Sequence, residues 1–92
     1  MYLEIVSPEA TLFTGDVDSV IVPGSAGSFQ MLNNHASIVS SLKKGVVKIF
    51  GKIYLDDAVK HKFETEDANT TLFKINSGTV EMRDNKLILL AD

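Results

Sequence analysis

The 92 residues include no cysteine and no tryptophan. Without cysteine, the chain has no disulfide framework, no thiolate metal ligand and no thiol nucleophile. Without tryptophan, a hydrophobic core must be built from Val, Ile, Leu and the five Phe residues. The length suits one domain, residues 1–92, and is too short for two.

The chain also lacks a concentrated charge and a long apolar run. Its nine Lys and Arg residues are scattered, Lys43-Lys44 is the only adjacent pair, and the net charge is −3. Nucleic-acid binding needs a clustered basic surface, so we expect no nucleic-acid partner. No apolar stretch reaches the roughly 18 residues that span a bilayer. The start, Met1-Tyr2-Leu3-Glu4, has neither a basic region nor an apolar signal core, so we predict no transmembrane segment and no signal peptide.

Short stretches rich in β-branched and aromatic residues, separated by turn residues, fill most of the chain. Such stretches at intervals of about 8–12 residues are typical of an all-β sandwich or barrel. We predict strands at residues 2–6, 11–14, 17–22, 29–32, 38–42, 46–50, 72–76, 79–82 and 87–90, and two less regular ones at 52–55 and 59–63. Alternation assigns these residues to the core: Phe13, Val20, Val22, Val47, Ile49, Phe73, Ile75, Val80, Leu87 and Leu89.

Four local features carry expectations of their own. Val17 is out of phase with the later valines of its strand, which predicts a bulge at Asp18-Ser19. Pro23 to Gly27 predicts a compact loop, and Glu64 to Asp67 predicts a solvated acidic loop. The continuous apolar run from Leu87 to Leu90 predicts a strand that is covered on both faces.

No residue pattern is typical of a catalytic, metal or cofactor site. His35 has no second His or carboxylate at a zinc-like spacing, and His61 lies between two lysines that repel a cation. Gly45 and Gly51-Lys52 are one residue too far apart for a phosphate-binding P-loop. The paired carboxylates, Asp56-Asp57 among them, fall in turn-like stretches. We therefore expect a non-catalytic protein with no metal and no cofactor.

Three ordered segments carry a family pattern. Residues 3–9 read LEIVSPE, and residues 12–36 read LFxGxVxxVxVPGxxGxFxxLxxHA, continuing through Gly45. The third segment, residues 73–92, begins FxIxxGxVE and ends LLAD. Together the segments resemble the N-terminal domain of the epsilon subunit of the rotary F-type ATP synthase, and they cover most of the chain.

The resemblance implies a fold and a role. It implies a β-sandwich of about ten strands, without the two-helix C-terminal domain that most family members carry, because the sequence ends at Asp92. It also implies a non-catalytic subunit of the central stalk, or rotor, of a proton-translocating ATP synthase. This subunit links the gamma subunit to the membrane c-ring and helps couple rotation to ATP synthesis. It binds no nucleotide and lies peripherally on the cytoplasmic face of a bacterial inner membrane.

Two partner contacts follow from the resemblance. For the c-ring it implies two loops at one end of the sandwich, with the residues Gly24, Ser25, Gly27, Ser28, Asn33, Asn34 and His35. For the gamma subunit we predict a partly apolar sheet face, since stable interfaces bury a hydrophobic centre. The candidates for that face are Phe29, Met31 and Met82, with core packing as the alternative explanation for each.

Two other classes of function remain open at this point. A free-standing ligand-binding β-sandwich, such as a carbohydrate-binding module, typically displays exposed aromatic residues on one face, and Tyr2 and Tyr54 are the only tyrosines here. A small enzyme using the acidic residues would need a carboxylate with a strongly raised pKa.

Overall fold

The computed structural model describes residues 1–92 and is almost entirely β-sheet. Its elements are β1 (Tyr2–Val6), β2 (Thr11–Asp16), β3 (Ser19–Gly24), β4 (Gly27–Leu32), β5 (Ile38–Leu42), β6 (Gly45–Phe50), a 3-10 helix η1 (Lys60–Lys62), β7 (Phe63–Asp67), β8 (Thr70–Ile75), β9 (Gly78–Arg83) and β10 (Lys86–Ala91). The prediction of an all-β fold with about ten strands is confirmed. No helix is long and apolar enough to cross a membrane.

The strands form one hydrogen-bonded ladder that folds over on itself into two layers. The first layer has the order β2-β1-β10-β9-β5, and the second has the order β4-β3-β6-β8-β7. The layers are joined where Gly24 of β3 pairs with Leu42 of β5, the only pair between those two strands. All neighbouring strands are antiparallel except β1 and β10, which run parallel. The result is a β-sandwich of two five-stranded layers.

The core lies between the layers and follows the period of two that strands impose. Leu3 and Ile5 of β1 face inward, and they pair with Leu87 and Leu89 of β10. All the residues that alternation assigned to the core are buried, so that prediction is confirmed. The buried cluster holds 19 apolar residues. Val, Leu, Ile and Phe side chains, two methionines and Ala91 make up this core, which has no tryptophan.

Strand direction puts the connections at two opposite ends of the sandwich. One end, which we call the lysine end, carries the turns at Ser25-Ala26 and Lys43-Lys44. The other, which we call the asparagine end, carries Met1 and the turns at Asn33-Asn34 and Asp84-Asn85. The length of one strand separates them.

The bulge predicted at Asp18-Ser19 is wrong. Residues 17 and 18 connect β2 to β3, which begins at Ser19. The Val17 backbone amide donates to the carbonyl of Met1 (2.8 Å), and the Asp18 amide donates to that of Phe50 (2.8 Å). The change of phase in the sequence therefore marks a chain connection between the two layers.

Residues 51–67 differ most from expectation. Neither 52–55 nor 59–63 forms a strand, and the expected acidic loop is strand β7. Phe63 anchors this strand by stacking on Phe73, with ring centroids 4.9 Å apart. Its exposed acidic side chains pair with lysines of the same layer: Glu64 with Lys74 of the adjacent β8 (3.3 Å), and Glu66 with Lys48 of β6, one strand farther (3.6 Å). Pairing with β8 makes this polar segment a strand, which alternation cannot reveal.

The run Leu87 to Leu90 is covered on one face only. Leu87 and Leu89 are fully buried, whereas Leu90 is 49% exposed. The expectation that both faces are covered is therefore wrong for this chain by itself, because no element packs on the outer side of β10.

Candidate functional site

The β3–β4 hairpin builds the first group of predicted contact residues. Gly24 pairs with Gly27 around the two-residue turn Ser25-Ala26. A Cβ on Gly24 would lie 2.7 Å from the Gly27 carbonyl oxygen and 2.7 Å from the Phe29 ring, and Gly27 has φ +133°. Both glycines are thus required by the turn itself. The turn and Ser28 are exposed, and they present small side chains to solvent.

A second turn is tied to this hairpin by backbone hydrogen bonds. The Ser25 amide donates to the carbonyl of Ser41 (3.0 Å), and the Lys43 amide donates to that of Pro23 (2.9 Å). The Ser25 and Ser41 hydroxyls share a further hydrogen bond of 3.0 Å. We call the exposed residues 25–28 and 43–44 the paired-turn platform. Lys43-Lys44, which sequence reasoning did not single out as a contact, is part of the same surface as Ser25.

The loop 33–35 lies at the opposite end of the sandwich. β4 runs from Gly27 at the lysine end to Leu32, which pairs with Ser19 at the asparagine end. At about 3.4 Å per residue, this strand separates the two loops by roughly 17 Å. The expectation that Gly24–Ser28 and Asn33–His35 share one end is wrong, because they flank the same strand. One flat partner surface cannot contact both loops.

At the asparagine end the predicted contact residues close a polar network. The Asn33 Oδ1 atom accepts hydrogen bonds from the Met1 amine (3.0 Å) and from Asn85 Nδ2 (2.9 Å). The Asn34 amide donates to Asn85 Oδ1 (2.7 Å). Asn34 and Asn85 both have positive φ, which asparagine tolerates better than most residues. These asparagines therefore have a structural reason to be where they are.

His35 is only partly exposed. Its backbone amide donates to the carbonyl of Leu32 (3.0 Å), and its Nδ1 lies 2.7 Å from the carbonyl oxygen of Ala36. The ring is thus turned toward its own loop, which leaves part of its surface for a partner.

The three residues proposed for the gamma contact all point to the core face. Met31 pairs with Val20, and Phe29 pairs with Val22, so both share the inward direction of those valines. Met31 and Met82 are 0% and 1% exposed, and Phe29 is half-buried against the core. Met31 and Met82 offer no side-chain surface to a partner, so core packing, the alternative explanation, holds for them. Phe29 keeps a partial exposure at the rim.

Sequence reasoning missed the apolar residues that do face solvent. On the outer side of the first layer, Val39 is 75% exposed and Leu90 is 49% exposed, and Val6 and Ile88 are partly exposed beside Leu90. The outer side of the second layer carries Leu32 and Val46, among others. The signal was available, because these residues alternate with the core positions of their strands.

No group of three or more His, Asp or Glu side chains could hold a metal ion. Every buried side-chain nitrogen or oxygen has a hydrogen-bond partner. One open cavity of about 310 Å³ is lined by Lys44, Lys74 and Asn76 among others. The exposed features of the structure are a hydrogen-bonded pair of turns, a polar loop cluster and an apolar sheet face.

Comparison with known proteins identifies the family of this fold. Residues 1–92 match the model of the ATP synthase delta/epsilon chain β-sandwich domain. The ATP synthase epsilon chains of Campylobacter curvus and Campylobacter fetus are 37% and 39% identical over the whole chain, which spans 60% of the length of each.

Solved structures show the same fold at lower identity. A chain of the Tetrahymena thermophila mitochondrial ATP synthase central stalk and c-ring matches 99% of this chain and 62% of its own length, with a TM-score of 0.69 and 16% identity. A chain of the Euglena gracilis mitochondrial ATP synthase matches 97% of this chain and 48% of its own length, with a TM-score of 0.72 and 15% identity. The chain belongs to the family of ATP synthase delta/epsilon chain β-sandwich domains.

Proposed function

We propose that this chain is a non-catalytic central-stalk subunit of a proton-translocating F-type ATP synthase. It links the gamma subunit to the membrane c-ring and helps couple rotation to ATP synthesis, while it binds no nucleotide itself. The observation that carries this proposal is the match of all 92 residues to epsilon chains at about 38% identity. The chain then lies peripherally on the cytoplasmic face of a bacterial inner membrane, held there by its complex.

The residues predicted to contact the c-ring fall into two groups, one at each end of the sandwich. We assign the c-ring contact to the turn that holds Gly24, Ser25, Gly27 and Ser28. Ser25, Gly27 and Ser28 are small and exposed, so another backbone can approach closely, whereas Gly24 is buried and shapes the turn beneath them. The tie between Ser25 and Ser41 supports a stiff contact, which a rotating coupling element needs. Asn33, Asn34 and His35 face the other way, so they are free for a contact farther from the ring.

For the gamma subunit we propose the outer side of the first layer, centred on Val39 and Leu90. Stable interfaces bury an apolar centre within a polar rim. Val39, Ile88 and Leu90 supply apolar surface that nothing in this chain covers. Glu81, which pairs with both Val39 and Ile88, and Thr79, which pairs with Leu90, add polar groups beside them. Phe29 remains a prediction at the rim.

Calorimetry tests the stalk role directly. We would titrate the purified chain with the gamma subunit of the same organism at several temperatures. A one-to-one complex with a negative heat-capacity change is expected, since that change reports burial of apolar surface. If both proteins are folded and no heat is released at micromolar concentrations, the stalk role is refuted and only the shared fold remains.

No observation favours the alternative of a ligand-binding module. Tyr54 is 81% exposed in the segment between β6 and η1, whereas Tyr2 lies on the outer side of the first layer beside Lys86. Tyr54 is the only aromatic side chain that is more than half exposed, whereas a sugar-binding face typically displays several.

A further inference from the structure

The acidic residues are unevenly distributed along the chain. Residues 19–55, which include strands β3 to β6, contain four lysines and no Asp or Glu, although the chain as a whole has a net charge of −3. All 12 acidic residues lie outside this stretch. The paired-turn platform is built entirely from it, so its local charge is opposite in sign to that of the whole protein.

The two lysines of the platform are exposed and have no ionic partner within the chain. Lys43 and Lys44 take part in none of the three salt bridges, which use Lys48, Lys74 and Lys86. The neighbouring turn contributes Asn76 and Ser77, which are uncharged. Asp92 directly follows β10. The preceding residue, Ala91, pairs with Gly78, which in turn pairs with Leu42, so two strand spacings, roughly 10 Å, separate Ala91 from Leu42. The Asp92 carboxylate accepts a hydrogen bond from Ser77.

We propose that the paired-turn platform docks on carboxylate side chains of a protein loop. Given the proposed function, on which this inference rests, that loop belongs to the c-ring. The hydrogen bonds from Ser25 and Lys43 hold the lysine backbone against the hairpin, so both charges are presented from a preformed surface. The small residues 25–28 leave room for the partner backbone, and Lys43 and Lys44 supply the charge complementarity.

An anionic lipid surface fits these observations less well. Peripheral lipid binding of this kind typically uses clusters of about 4–8 Lys or Arg residues. The platform has two, and its tip carries Ser, Ala and Gly with no large apolar side chain to insert between headgroups. A protein loop with one or two carboxylates matches a pair of lysines on a flat, small-residue surface.

Carbodiimide cross-linking joins a lysine to a carboxylate only where the two are in contact. We would bind the complex of the full chain with gamma to detergent-purified c-ring, cross-link it, and locate the linked residues by mass spectrometry. The expected product joins Lys43 or Lys44 to an Asp or Glu of the ring. Links confined to Lys52 or Lys60, or none from this chain in a complex that does form, would overturn the inference.

A matched pair of variants measures the contribution of the charges. K43Q/K44Q and the control K52Q/K60Q remove the same charge at exposed positions, and neither control lysine takes part in a salt bridge. Lys52 follows Gly51, whose amide donates to the carbonyl of Asn69 at the opposite end of the sandwich from the platform. We expect K43Q/K44Q to weaken ring binding about threefold to tenfold, the range of two exposed ion pairs, with a shallower salt dependence. The control is expected to bind as the unaltered chain does.

The outcomes separate this inference from the proposed function. If the unaltered complex does not bind the ring at all, the proposed ring contact fails, and the inference fails with it. If it binds and K43Q/K44Q binds equally well, only the carboxylate contact is refuted. Equal binding to ring-free vesicles of phosphatidylcholine and phosphatidylglycerol, lost in K43Q/K44Q, would replace the protein loop by a lipid surface.

Discussion

Replacing Gly24 by alanine is expected to destabilise the fold through a steric conflict at one hairpin. The added Cβ would lie 2.7 Å from the Gly27 carbonyl oxygen and 2.7 Å from Cε1 of Phe29. Gly24 does not have a positive φ, so backbone strain of its own adds nothing and the cost is one of space. The phenyl ring can rotate away, whereas the carbonyl is held in the β3–β4 ladder, so the hairpin itself must shift.

Forced overpacking of this kind typically costs about 1–3 kcal/mol. For a domain of 60–100 residues, each kcal/mol lowers the melting temperature by about 4–8 °C, so G24A is expected to lower it by roughly 5–20 °C. Differential scanning calorimetry measures this shift directly. A26S, at the exposed tip of the same turn, is the control, and its stability is expected to stay within about 0.5 kcal/mol of the unaltered chain.

A second variant separates the two contacts. F29L removes Cε1, the nearer of the two ring atoms that crowd the new Cβ, but leaves the Gly27 carbonyl in place. The double variant G24A/F29L should therefore be more stable than the sum of the two single effects, because part of the conflict is relieved. A melting temperature of G24A within 1–2 °C of the unaltered chain, well below the shift that overpacking predicts, would refute the reasoning. So would strict additivity in the double variant.

Three further changes test other parts of the molecule. F63A removes a buried ring stacked on Phe73 and is expected to cost about 3 kcal/mol in urea unfolding; a loss below 1 kcal/mol contradicts the anchor role. V39D is expected to leave stability almost unchanged, because Val39 is 75% exposed, but to weaken gamma binding at least tenfold by calorimetry. V46D, on the other layer, is its control, and equal losses from both contradict the proposed face. N33A removes the acceptor of two hydrogen bonds and is expected to cost about 1–2 kcal/mol in urea unfolding, against no change if the network is unimportant.

Alternation in the sequence is enough to predict the strands that have one buried face. β1 and β5 have the predicted bounds, and the other clear strands differ by a few residues at their ends. The period of two is a local property, so it can be read without knowing which strand lies beside which. The inward direction of Val20, Val47 and Leu89 follows from the same rule.

β7 could not be found in this way, because its strand character comes from its neighbours. Phe63 is its only buried residue, and the rest is polar and exposed. Pairing with β8 and the facing lysines Lys48 and Lys74 stabilise it, and these come from other parts of the chain. Residues 64–67 taken by themselves are polar and mostly acidic, a composition typical of a loop.

The prediction that the loops 24–28 and 33–35 lie at one end of the sandwich was wrong, and the register of the β3–β4 hairpin explains why. A turn around Ser25-Ala26 pairs Val22 with Phe29 and Val20 with Met31, which puts the Phe and Met on the core face. The same hairpin puts residues 33–35 at the far end of β4. Both facts follow from the position of the turn, whereas the resemblance to a family carried residues over without the register that relates them.

The alternation of inward and outward side chains along each strand identifies the core, and it also identifies which side chains are exposed on the outer faces. In β5 and β10 the residues that alternate with buried ones include Val39 and Leu90, whose side chains are apolar. Hydrophobicity alone cannot distinguish a core residue from an apolar residue awaiting a partner, since both lower the free energy by leaving water. Once the pairing of β9 with its neighbours fixes which positions face inward, the remaining apolar positions are those that the fold leaves exposed to solvent. Under the proposed function, the register of the strands therefore decides which residues contact the partner subunits.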